Sequence, residues 1–119
     1  MDTLWEGSAN TVDTVLNLEG EIYDYDYLIV SRYFNGSSGT RNDVGDLILT
    51  KEKYGKTVYD PVSLILATGQ ASGVSLSYLV ESTTFTIKSN IVYSWQGLYI
   101  EKITGVKGSI PTVIEGGAL

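Results

Sequence analysis

Val74-Ser75-Leu76-Ser77-Tyr78-Leu79-Val80 and, a few residues on, Thr84-Phe85-Thr86-Ile87-Lys88 are the stretches whose reading decides the fold. Successive side chains of an extended strand point to opposite faces, so Val74, Leu76, Tyr78 and Val80 share one side and serines largely occupy the other. The second segment repeats the pattern, with Phe85 and Ile87 on the apolar side. The tight link Glu81-Ser82-Thr83 makes the two an antiparallel hairpin.

Outward from this hairpin, short runs rich in Val, Ile, Leu, Thr and Tyr recur about every eight to twelve residues, each ended by Gly, Asn, Asp or Ser. The candidate strands are 4–6, 12–18, 26–34, 46–51, 62–68, 74–81, 84–90 and 99–107, and no segment reads as a helix. The expectation is an all-β, antiparallel, jelly-roll-like sandwich of about eight strands. It occupies one domain, residues 1–107, with 108–119 as an edge strand or loose arm because Pro111 cannot donate to a central ladder. Tyr27-Leu28-Ile29-Val30 and Leu47-Ile48-Leu49 are apolar on both faces, so each is expected to be a central strand covered on both sides. In a two-layer domain the second cover must be another subunit, which points to oligomerisation.

Composition narrows the function. The 119 residues suit one core, and 43% hydrophobic against 18% charged residues is the balance of a chain that folds. Without Cys there is no disulfide framework and no thiolate chemistry; without His the commonest general base and transition-metal ligand is missing. Enzymatic readings weaken accordingly, and no cofactor is expected. The net charge of −6 argues against nucleic acid, which needs a basic patch. Acids crowd the first half, with 11 acids and 5 bases in residues 1–60 against 3 and 3 thereafter. The start Met1-Asp2-Thr3-Leu4-Trp5-Glu6 has no signal-peptide pattern and no apolar run approaches about 18 residues, so a soluble chain without membrane insertion is expected.

Three motifs are weighed and set aside. Gly55-Lys56-Thr57 lacks the earlier Gly of a phosphate-binding loop, since position 50 is Thr. Glu19, Glu21, Asp24 and Asp26 lack calcium-loop spacing and read as a solvated acidic corner. No nucleophile motif accompanies any of the acids, as glycoside hydrolysis would require.

The sequence 35–43 is the longest polar, glycine-rich segment and reads as an exposed loop; residues 51–60 read as a second. Aromatic rings stack on the apolar faces of sugars while short polar side chains bond hydroxyls. The candidate ligand-binding residues are therefore Tyr33, Asn35, Arg41, Asn42 and Asp43 around the first loop, and Tyr54 and Tyr59 in the second. Trp5 and Trp95 sit in strand-like contexts and read as core or interface residues.

Leu4-Trp5-Glu6-Gly7-Ser8-Ala9, Tyr25-Asp26-Tyr27-Leu28-Ile29-Val30 and Tyr99-Ile100-Glu101-Lys102-Ile103-Thr104-Gly105-Val106-Lys107 carry a resemblance that spans nearly the whole chain. Their order and spacing resemble the C-terminal head domains of tail-fibre and receptor-binding proteins of tailed bacteriophages. The resemblance implies a β-sandwich head, commonly a homotrimer. Such a head is made in the host bacterium's cytoplasm and is carried on the virion tail among other tail proteins. It would attach the particle to a bacterial surface polysaccharide or protein. It assigns no binding residue. With no shaft before Met1 and residues 108–119 beyond the closing motif, an excised head and a stand-alone virion protein both stay open. Two other readings stand beside it: a purely structural baseplate or decoration protein, and a carbohydrate-binding module. The motif residues also have folding roles: Trp5 at an edge strand, and Gly105 at a bulge or close approach.

Overall fold

In the computed structural model, residues 1–35, 41–65, 71–92 and 97–108 are described. The alternating segment of residues 74–80 lies in an 11-residue strand, and a two-residue turn at Ser82 and Thr83 returns the chain so that Glu81 faces Thr84. The strands are β1 (Asp2–Ala9), β2 (Val15–Asn17), β3 (Tyr27–Asn35), β4 (Arg41–Thr50), β5 (Thr57–Ile65), β6 (Ala71–Glu81), β7 (Thr84–Ile91) and β8 (Leu98–Val106). Single 3-10 turns at Ile22–Asp24 and Lys51–Lys53 are the helical pieces of the described residues.

Two four-stranded antiparallel sheets result, ordered β1-β8-β3-β4 and β2-β7-β6-β5. The all-β sandwich expected from alternation is therefore the fold. The pairs β1·β8 and β2·β7 nest in the jelly-roll-like manner, while β3·β4 and β5·β6 are local hairpins. The inner faces meet in one core. Leu4, Leu28, Val30, Leu49, Ile100 and Ile103 of the first sheet pack against Leu16, Val58, Val74, Leu76, Tyr78, Val80, Phe85 and Ile87 of the second. Tyr78 and Phe85 stack at 5.4 Å with neither ring accessible, a contact worth about 0.5–1.5 kcal/mol beyond burial.

Several sequence expectations are corrected. β4 is an edge strand, not a central one. Leu47 and Leu49 pair with the inward Val30 and Leu28, so only Ile48, 45% exposed, makes the segment apolar on its outer side. β3 is central, as expected. Arg41, Asn42 and Asp43 are not loop residues but the first ladder rungs of β4, opposite Asn35, Phe34 and Tyr33. Backbone pairing across the hairpin outweighs their low strand propensity. Residues 57–60 likewise belong to β5 rather than to a loop, and Pro61 is accommodated because β5 is an edge. β2 begins only at Val15, because Asp13 adopts φ 70 in the preceding turn and interrupts extended backbone. Trp95, 66–68 and the tail 109–119 lie outside the described residues.

The three segments that carry the family resemblance supply neighbouring strands, in the order β1-β8-β3. Trp5 lies over Gly7, where an added Cβ would meet its ring at 2.9 Å. The Tyr25 ring covers Gly105, where an added Cβ would sit 2.6 Å from it. Gly105 keeps regular register on both sides. The glycine thus answers the close approach of a ring and not a bulge.

Candidate functional site

Irregularities on β4, β8 and β1 line up beside Arg32 of β3, while a further one, at Leu4 of β1, lies apart. On β4, Val44 and Gly45 oppose the single residue Arg32, with Gly45 at φ 83. On β8, Glu101 is extra between the partners of Ser31 and Arg32, and on β1 Gly7 and Ser8 face that same position. Such bulges twist a sheet and re-aim its side chains, and they are frequent beside functional sites. Here the belt divides the outer face of the sheet and gathers polar and aromatic side chains at its β3–β4 hairpin end.

On that outer face Tyr33 and Tyr99 are directly paired neighbours, stacked with centroids 5.0 Å apart and planes 9° from parallel. Tyr33 Oη and Ser8 Oγ share a hydrogen bond of 2.6 Å, and Asn35 Nδ2 donates to Tyr99 Oη at 3.2 Å. The Arg41 guanidinium lies over the Tyr33 ring, 4.4 Å from its centroid, a cation–π arrangement. Its Nε and Nη2 donate to Asp43 Oδ1 at 3.1 and 2.8 Å, and Nη2 also donates to Glu101 Oε2. Hydrogen bonds from Glu101 first and Asp43 second raise the Arg41 pKa, so the guanidinium is permanently charged. The arrangement presents ring edges, a fixed guanidinium, carboxylate oxygens and an amide on one half-exposed surface. Those are the groups that hold a polyhydroxylated ligand.

Of the residues expected to bind, Tyr33, Asn35, Arg41 and Asp43 therefore come together. Asn42 pairs with the inward Phe34 and falls on the opposite face. Tyr54, expected on a surface loop, is a core residue: it is 5% exposed, its Oη donates to the Tyr25 carbonyl at 3.0 Å, and burial pushes its pKa up to about 12. Tyr59 is exposed, but on the outer face of the second sheet, opposite Ser77. Ser8, Tyr99 and Glu101 join the cluster without belonging to the loops from which the binding candidates are drawn. A signal existed for Tyr99, which alternates with the apolar Leu98 and Ile100 and so had to face outward.

Behind the same belt an ion pair joins the two sheets. Arg32 of β3 points inward, and its Nη1 donates to Asp60 Oδ1 of β5 at 2.6 Å; Tyr78 Oη of β6 donates to Asp60 Oδ2 at 3.0 Å. Arg32 is 8% and Asp60 2% exposed. Burial raises the Asp60 pKa above its ordinary value, against the opposing pull of Arg32 and the Tyr78 hydroxyl. Burial and the neighbouring Asp60 raise that of Tyr78 as well. A group so enclosed clamps the layers and has no access to a ligand.

At the far end, the acidic corner is used locally. Glu21 Oε1 accepts the Tyr23 N–H at the 3-10 turn, and Asp26 accepts the Gly108 N–H and lies 3.6 Å from Lys51 Nζ. The Gly108 hydrogen bond, with Lys51, lowers the Asp26 pKa. Among the described residues no three metal-ligating side chains converge, and no helix is long and apolar enough to cross a membrane.

The fold and this face together define a two-layer β-sandwich carrying an aromatic and charged cluster on one outer surface. No protein-family model matches the chain, and no curated protein matches it significantly.

Proposed function

We propose that this chain is an attachment domain of the phage tail-fibre head type, which binds a bacterial surface saccharide through the outer face of its β1-β8-β3-β4 sheet. The observation that carries the reading is the cluster of Tyr33, Tyr99, Arg41, Asp43, Asn35 and Glu101, held at a belt of bulges on an exposed face. The phage setting rests on the resemblance of the three motif segments. Isolated domain should adsorb to host cells and block phage adsorption. Tyr99→Ala and Arg41→Ala should each weaken binding about tenfold or more, as expected for central aromatic and Arg contacts. Lys56→Ala, in the exposed turn before β5 and on neither face, should leave it unchanged. Equal binding by the wild type and both cluster variants would remove the site from this face.

The domain is also proposed to self-associate, as a trimer. The outer face of the second sheet supports this. Its rows Thr57–Leu79–Thr86–Val15, Tyr59–Ser77–Ser89 and Pro61–Ser75–Ile91 hold no charged residue, and the charges beside them among the described residues, Lys88 in the β7 bulge and Glu81 at the hairpin end, are of opposite sign. Tyr59, Ile91 and Val15 are exposed on it. Copies of an acidic chain meet with least repulsion there. Light scattering after size exclusion should give about three times the 13.0 kDa chain mass; a monomer at micromolar concentration contradicts it. The same face, with no net charge, favours the second reading, a structural virion component without a receptor. That reading prevails if the domain neither adsorbs to cells nor competes with phage.

A further inference from the structure

Among the described residues, carboxylates outnumber cations on the outer face of the first sheet. Arg41 is bonded by both Asp43 and Glu101, and Lys102 stands directly across the ladder from Glu6. Asp46 adds a further acid opposite Ser31, so Glu6, Asp43, Asp46 and Glu101 face only Arg41 and Lys102. The Nε and Nη2 donors of the guanidinium are thus engaged by carboxylates of its own sheet, and one of its faces lies against Tyr33. A carboxylate or phosphate on a ligand would meet a surface of net negative charge and would have to approach Arg41 beside two carboxylates already bonded to it. A sugar hydroxyl has no such conflict, since it can donate to Asp43 or Glu101 and lie against the exposed parts of the tyrosines.

On this basis, and resting on the saccharide reading above, we infer that the site selects neutral glycans and rejects acidic ones, with Asp43 and Glu101 as the specificity-determining residues. The two carboxylates do this by holding Arg41 for their own use while offering acceptors to hydroxyls. Asp43 has 71% and Glu101 27% of its side chain exposed, so both can be altered without disturbing the core.

The test is an array of bacterial polysaccharides, divided into neutral ones and ones bearing uronate, sialate or phosphate, probed with the full chain. Binding confined to neutral polysaccharides, and lost in Tyr99→Ala, is the expected result. The double variant Asp43→Asn with Glu101→Gln frees Arg41 and should gain binding to acidic polysaccharides by about tenfold or more, with circular dichroism confirming the unchanged fold. Retention of any acidic polysaccharide by the wild type overturns the selectivity, as does a double variant that keeps the original preference. Absence of binding to every polysaccharide on the array overturns the saccharide reading itself, an outcome separate from loss of selectivity.

Discussion

Arg32→Ala is expected to destabilise the domain by about 3–5 kcal/mol at neutral pH, the cost of leaving one partner of a buried ion pair uncompensated. Asp60 would keep only the Tyr78 hydroxyl, in a position 2% exposed between the sheets. Urea unfolding measures the loss, and a change below about 1 kcal/mol would mean that water reaches the site and that the pair is not a clamp. The pH dependence has a definite sign. The Asp60 pKa is raised by burial, so between the ordinary unfolded value of about 3.9 and the higher native one the folded chain binds more protons than the unfolded chain. Stability contributed by this group is therefore present at acid pH and declines as pH rises through that window. Removing Arg32 takes away the pull that opposes burial, which widens the window upward, so the variant should be least impaired in acid. The triple replacement Arg32→Met, Asp60→Leu and Tyr78→Phe removes every member of the group together and should recover most of the loss. Arg32 Nε has no hydrogen-bond partner among the described residues, so the native pair is itself incompletely satisfied.

Gly105→Val should cost about 3 kcal/mol, at the upper end for overpacking, since even its Cβ would lie 2.6 Å from Tyr25 Cγ, at the base of the ring. That part of the ring cannot swing aside without moving Tyr25, whose Oη donates to Asp2 Oδ2 at 2.7 Å and whose backbone N–H bonds the Ile22 carbonyl. Both β1 and β3 flank Gly105, through Asp2 and Leu28, so displacement strains the centre of the first sheet. The double variant Gly105→Val with Tyr25→Ala should lie closer to wild type than the two single losses predict when added, because the branched side chain fills space the ring vacates. Strict additivity in chemical denaturation would mean that the two residues do not share that space.

The strand grammar was legible because alternation is local. Val74 to Val80 and Phe85 with Ile87 assign themselves to a buried face from their spacing, and their hairpin needs only a short link. Composition was similarly direct about imidazole and thiol chemistry, since absent residues act nowhere. The loop expectations failed where pairing across a hairpin recruited polar residues into strands. Arg41 to Asp43 carry no apolar alternation, and their extended conformation comes from Tyr33, Phe34 and Asn35 opposite. Tyr54 shows the same limit. Its polar neighbours look like surface, yet its ring is turned inward over residues distant in the chain.

By itself, the sequence determined that this protein is an antiparallel β domain, which strands carry its core, and which residue types were available for contact, because periodicity and composition are properties of the chain alone. Tertiary structure decided that Tyr33 meets Tyr99, that Arg41 is claimed by Glu101, and that Arg32 finds Asp60. Each of these contacts joins strands far apart in sequence, and their geometry depends on sheet order and on bulges that no local pattern encodes.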